Sequence, residues 1–129
     1  MKIFIFFLFL SSVTFSQNKV EDSYKLGQML YDDFCVRCHL PDGAGEAGLI
    51  PPLAGADFLQ HIQATVHSIK YGLHGPITVN GVKYNSSMAP MGLENDEIAD
   101  ITNYILNSWG NTTDVIVTEA YVKGIKETK

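Results

Sequence analysis

The chain has 129 residues, 46% of them hydrophobic and 18% charged, and a formal net charge of −5 at pH 7. Behind a leader, that length holds one domain and not two. Fourteen acidic residues against nine basic ones, with no Lys/Arg cluster, argue against nucleic acid or anionic lipid as partner.

At the start, Lys2 precedes an unbroken apolar run from Ile3 to Leu10, followed by small polar residues ending at Ser16. The run is about half the roughly 20 residues that a membrane span needs. The pattern predicts a secretory leader over residues 1–16 cut after Ser16, a mature domain over 17–129, and no stable membrane span once the leader is gone.

A first helix is expected over Ser23 to Phe34, with Leu26, Leu30, Tyr31 and Phe34 on one face and Ser23 as N-cap. It runs into Cys35-Val-Arg-Cys38-His39. Residues 41–56, rich in Gly and Pro without a period, read as a compact surface loop. A second helix over Asp57 to Tyr71 sets Phe58, Ile62, Val66 and Ile69 on one stripe and stops at Gly72.

Ile77 to Tyr84 carries a hairpin signal, since Asn80-Gly81 tolerates the positive φ of a type I′ turn between β-branched flanks. Met88-Ala-Pro-Met91 follows as an irregular segment. A third helix begins after Asn95, puts Asp96 and Glu97 in its positive first turn, turns Ile98, Ile101, Tyr104 and Ile105 inward, and stops at Trp109-Gly110. In the tail, Val115-Ile116-Val117 reads as a strand-like return before a short terminal turn.

Residues 35–48 match two cofactor motifs at once. Gly43-Ala-Gly45-Glu-Ala-Gly48 spells G-x-G-x-x-G, but a dinucleotide fingerprint needs a strand before the first glycine and a helix opening at the third. Here a helix precedes, Pro51-Pro52 follows within four residues, and Glu46 would put negative charge inside a phosphate cradle. The glycines read as loop punctuation.

The other motif, C-x-x-C-H, is the spacing of covalent haem attachment: two thiols for two vinyl groups, and an imidazole directly after them for the iron. Cys35 and Cys38 are the only cysteines. A disulfide closing so short a loop would restrain little of the unfolded chain. A zinc site lacks two further ligands at closed spacing, and a thioredoxin-like pair would follow a strand.

Candidates for a sixth iron ligand are Met88, Met91, His61, His67 and His74. His61 flanks the apolar stripe of the second helix and His67 points away from it, so both read as surface histidines, while His74 sits in a turn. Methionine usually fills cores, yet Met88 follows polar Asn85, Ser86 and Ser87, where a core filler is out of place. Ligation accounts for it better.

In this order the sequence resembles the small monohaem class I cytochromes c of bacterial electron transport. The matching stretches are Gly27-x-x-x-Tyr31, Cys35-Val-Arg-Cys38-His39, Pro51-Pro-Leu53, Val79 to Tyr84, Met88-Ala-Pro-Met-Gly, and Tyr104 to Asn111. The resemblance implies an all-α class I cytochrome c fold around one covalent haem c, with a small hairpin before the distal methionine loop. It further implies His39 as proximal ligand with its second ring nitrogen donating to the Pro51 carbonyl, Leu53 on the haem face, and Met88 rather than Met91 as distal ligand. Gly27 would let the first and last helices approach, and Tyr31 would stack near Tyr104. Ala89 departs from the family, which has proline directly after the ligand methionine.

A six-coordinate iron admits no substrate, so the expected function is one-electron carriage rather than enzymatic turnover. The resemblance implies redox proteins as partners: a terminal oxidase, a copper nitrite reductase or a dehydrogenase. The leader places the chain in a bacterial periplasm, where the sequons Asn85-Ser-Ser87 and Asn111-Thr-Thr113 would be idle. The alternative is a sensor or small-molecule enzyme for nitric oxide, carbon monoxide or peroxide with a labile sixth site. A peroxidase would want a distal His or Arg, and Arg37 lies within the attachment motif itself.

Overall fold

The computed structural model describes residues 4–128, with side chains from residue 19 onward. The chain runs α1 (Phe4–Phe34), α2 (Val36–His39), a 3-10 turn (Asp57–Gln60), α3 (Ile62–Tyr71), β1 (Ile77–Val79), β2 (Val82–Tyr84), α4 (Asn95–Leu106) and α5 (Glu119–Gly124). This is the mostly helical architecture expected. Residues 1–3 and the side chains of the expected leader lie outside the described residues. Among the described residues, no helix is long and apolar enough to cross a membrane.

The helix α1 begins at Phe4, not at Ser23. Ser23 is therefore no cap: its hydroxyl donates to Asp100 on α4. The buried face of α1 also differs from the expected one. Tyr31 is fully buried, but Leu26 is 51% exposed. The cause is Gly27, where a Cβ would collide with the Asp100 carbonyl and with Tyr104. Only a bare Cα lets α4 come so close, and that approach turns Gly27, Tyr31 and Tyr24 toward α4 and rotates Leu26 outward.

Tyr24 and Tyr31 pack their rings on Tyr104 at 5.1 and 5.5 Å, and Trp109 lies 4.9 Å from Tyr31 and edge-on to Tyr104. The Trp109 indole donates to the Pro41 carbonyl, and the Tyr31 hydroxyl to the Leu40 carbonyl. This aromatic cluster ties α1, α4 and the loop after His39 together. Behind it the core continues through Val66, Ile98 and Ile101.

The expected second helix is broken at His61, whose ψ of 71° leaves the helical region. Its first turn is held from outside instead. The Asp57 amide donates to the Asn80 side chain, and the Asp57 carboxylate accepts from the Asn80 amide. Tying Asp57–Gln60 to the hairpin tip fixes a direction that α3 does not share. The hairpin matches its signal: β1 and β2 pair antiparallel, and Asn80 and Gly81 have φ of 51° and 78°.

In α4 the inward residues are those expected, and Glu94 and Glu97 form a capping box at its start. Regular helix stops at Leu106, three residues early, and Trp109 takes a φ of 53°. The strand-like return is absent. Val117 instead gives its N–H and its carbonyl to the Asn103 side chain on α4, so no partner strand is needed, and α5 follows from Thr118.

Candidate functional site

Directly after α1, the Cys35 backbone carbonyl accepts from the amides of both Cys38 and His39, winding the cysteine motif into a single helical turn. Positions i, i+3 and i+4 share a helix face, so that turn brings Cys35, Cys38 and His39 to one side. There they line a crevice with two lobes. The outer, of about 240 Å³, touches Phe34, Cys35, Cys38, His39, Tyr84, Met88 and Met91. The inner, almost wholly apolar, lies among Pro51, Leu53, Phe58, Leu59, Ile69 and Ile105. Cys35, His39, Pro51, Leu73, Ile77 and Met88 belong to both.

His39 is buried and its Nδ1 lies 3.2 Å from the Pro51 carbonyl. Since a carbonyl only accepts, the proton sits on Nδ1 and the Nε2 lone pair is left for a metal. Burial also lowers the pKa of His39, against the smaller upward effect of that hydrogen bond, which keeps the ring neutral as a ligand must be. Neither cysteine is in a disulfide; Cys35 is buried, its thiol pushed up to about 12 by desolvation, and Cys38 is exposed.

The residues present suit a covalently held haem. Two unbridged thiols and a neutral imidazole converge on one wall, a thioether lines both lobes, and an apolar chamber opens behind. The structure thus gathers Cys35, Cys38, His39, Pro51, Leu53 and Met88 around one space. Met91 reaches only the outer lobe, and His61, His67 and His74 line neither. His67 is engaged elsewhere, packed at a tilt against Tyr71 and accepting from the Thr128 amide.

Three residues that shape the site escaped the sequence reading. Leu73 exchanges both backbone hydrogen bonds with Met88, at 2.8 and 2.9 Å. Asn111 donates its side-chain amide to the carbonyls of Leu53 and Ile105 and accepts from the Gly55 amide. That fastens the proline loop to the end of α4 and occupies the nitrogen that a sequon would offer for glycosylation. Asn80 reaches the same loop through the Gly55 carbonyl. In the sequence Asn80 stands out as a turn residue and Asn111 as a sequon at the end of a family-like stretch, and neither signal marks a staple.

Comparison with known proteins agrees with this geometry. The family model for cytochrome c matches residues 24–109. Cytochrome c-552 of Thermus thermophilus is 39% identical over 87 residues, covering 63% of this chain and 66% of the relative. The cytochrome c subunit of the quinone alcohol dehydrogenase of Gluconacetobacter polyoxogenes is 33% identical over 113 residues, or 79% of this chain, and that of the gluconate 2-dehydrogenase of Pantoea cypripedii is 29% identical over 111 residues. The chain spans 66% of the length of that Thermus relative and only 22% and 25% of the two dehydrogenase subunits. A helical fold closed by the α1–α4 crossing, a C-x-x-C-H turn opening on an apolar crevice and a family match over most of the chain together place this protein in the cytochrome c family, whose domain carries covalently bound haem c.

Proposed function

We propose that the chain is a one-electron carrier whose haem is bonded through Cys35 and Cys38 and ligated by His39 and Met88. The observation that carries this reading is the donor set of the crevice. His39 and Met88 line both of its lobes, while among the described residues no carboxylate, lysine, arginine or second histidine lines either. The crevice therefore offers two iron ligands and no charged acid or base of the kind that peroxide chemistry uses. The bound haem would supply a reversible ferric/ferrous couple.

The chain's own part is to hold that couple in an apolar surround, which disfavours the more highly charged ferric state, and to keep the ligand geometry fixed as the charge changes. The thioether of Met88 favours ferrous iron further. Electrons would cross at the mouth of the outer lobe, beside Cys38 and Phe34, in brief contacts with larger redox enzymes such as a dehydrogenase or an oxidase. The same reading takes residues 1–16 as an export leader and the periplasm as the place of work.

The test is an optical spectrum of the protein made in a host with haem-attachment machinery, read in both oxidation states. A covalent c-type spectrum with the weak near-infrared sulfur-to-iron band of the ferric form is the expected result. Covalent haem without that band would remove Met88 from the iron, and absence of haem would remove the whole reading.

A further inference from the structure

The segment after α4 leaves the region matched by the family model and returns to α3. Its contacts there concentrate on the last turn of that helix. Lys70 donates from Nζ to the carbonyl of Val122 at 2.8 Å and to that of Ile125 at 3.3 Å. The Tyr71 hydroxyl donates to the same Ile125 carbonyl at 3.0 Å, and His67 accepts from Thr128. Val122 and Ile125 are buried beneath these bonds.

Immediately beyond Tyr71 the chain turns at Gly72, with a φ of 83°, where a Cβ would stand 2.6 Å from the Met88 carbonyl. Leu73 then makes its double backbone pair with Met88. Met88 itself lies in a stretch with neither helix nor strand between β2 and α4. Among the described residues, its backbone is hydrogen-bonded to Leu73 alone. The turn that residues 122–128 grip from outside is thus two residues from the pair that holds Met88 from inside.

We propose that residues 122–128 form a strap that sets how firmly Met88 stays on the iron, with Lys70 and Tyr71 as positioning residues. The inference rests on the reading of Met88 as sixth ligand. A loose last turn in α3 lets Leu73 move, and Met88, with no other backbone anchor, moves with it. Lifetime of the sulfur–iron bond is then governed from a surface remote from the haem. Local opening of this kind draws on the free energy of a few hydrogen bonds and does not require global unfolding.

The experiment uses the ferric holoprotein and imidazole as competing ligand, following loss of the sulfur-to-iron band by stopped flow. Lys70→Met keeps the side-chain stem and removes its donor; Tyr71→Phe removes the second. The double variant is expected to take up imidazole roughly tenfold faster than the parent, since three hydrogen bonds, two of them charge-assisted, are lost, and amide exchange at Met88 should quicken in parallel. Ser23→Ala, which cuts an α1–α4 contact, is the comparison for general loosening, made in urea at equal global stability. Equal imidazole rates in that comparison, or unchanged rates in the double variant, would overturn the strap. Each single variant repeats the test should the double one fold poorly. A parent lacking the band overturns the Met88 reading and the strap together, whereas a normal band with unaltered exchange overturns the strap alone.

Discussion

The side-chain amide of Asn111 donates to the backbone carbonyl of Leu53, 3.0 Å away and 58 positions earlier in the chain. It thereby joins the loop that carries Pro51, the acceptor for His39, to the end of α4. Asn111→Ala would cancel this bond together with those to Ile105 and Gly55. A loss of about 2 kcal/mol in unfolding free energy is expected, at roughly 1 kcal/mol per hydrogen bond with some recovered by water. Urea denaturation measures it, and hydrogen exchange at the Gly55 amide should rise ahead of the global rate.

Met88→Ala is expected to open the sixth site. The reduced variant should bind carbon monoxide where the parent does not, and its reduction potential should fall, because the thioether's preference for ferrous iron is gone. Met91→Ala is expected to leave both properties unchanged. Carbon monoxide titration and redox potentiometry on the two variants separate the methionines directly.

At Gly27 the outcome turns on two opposed magnitudes. Alanine is favoured over glycine within a helix by about 1 kcal/mol. Its methyl group would press on the Asp100 backbone and Tyr104, and forced overpacking costs about 3 kcal/mol when backbone must move. Gly27→Ala should therefore destabilise the protein by about 2 kcal/mol, seen as a lower urea midpoint with the same slope.

Asp100 gives the pH dependence. Partial burial is the main influence on its carboxyl and raises its pKa above the ordinary 3.8, outweighing the hydrogen bond from Ser23, which lowers it. A folded pKa above the unfolded one means that the folded state binds more protons between the two. The associated stability is complete below pH 3.8 and is lost as pH rises through the folded pKa. Asp100→Asn should remove this loss, so the stability difference between variant and parent should grow in the variant's favour as pH rises from 3.8 through the folded pKa. A difference that is flat or of opposite slope in denaturant titrations would refute it.

What could be read from the sequence was local. Cys35, Cys38 and His39 declare themselves because one helical turn suffices to bring them together, and Asn80-Gly81 because a two-residue turn demands positive φ. The stripe of α4 was legible because Ile98, Ile101 and Ile105 compete with no second apolar face. On α1 the apolar spacing groups Tyr31 with Leu26, Leu30 and Phe34, whereas the choice of face falls to the close passage of α4 at Gly27, which periodicity does not mark and which only the family resemblance implied. Val115-Ile116-Val117 has the composition of a strand, yet the side chain of Asn103 takes the hydrogen bonds that a neighbouring strand would have made. Leu73, likewise, acquires its importance only from Met88 folding back against it.

Trp109 is the sole tryptophan of the chain, and it packs against Gly43 and Tyr31 at the junction of α1, α4 and the loop behind the cysteine turn. Parting of any two of these three would expose the half-buried indole further and move it away from the haem that quenches its emission in the closed protein, so that the emission would brighten and shift to longer wavelength. The protein has therefore placed a single fluorophore on the seam that holds it closed, so that the first opening of that seam can be timed by light from one residue.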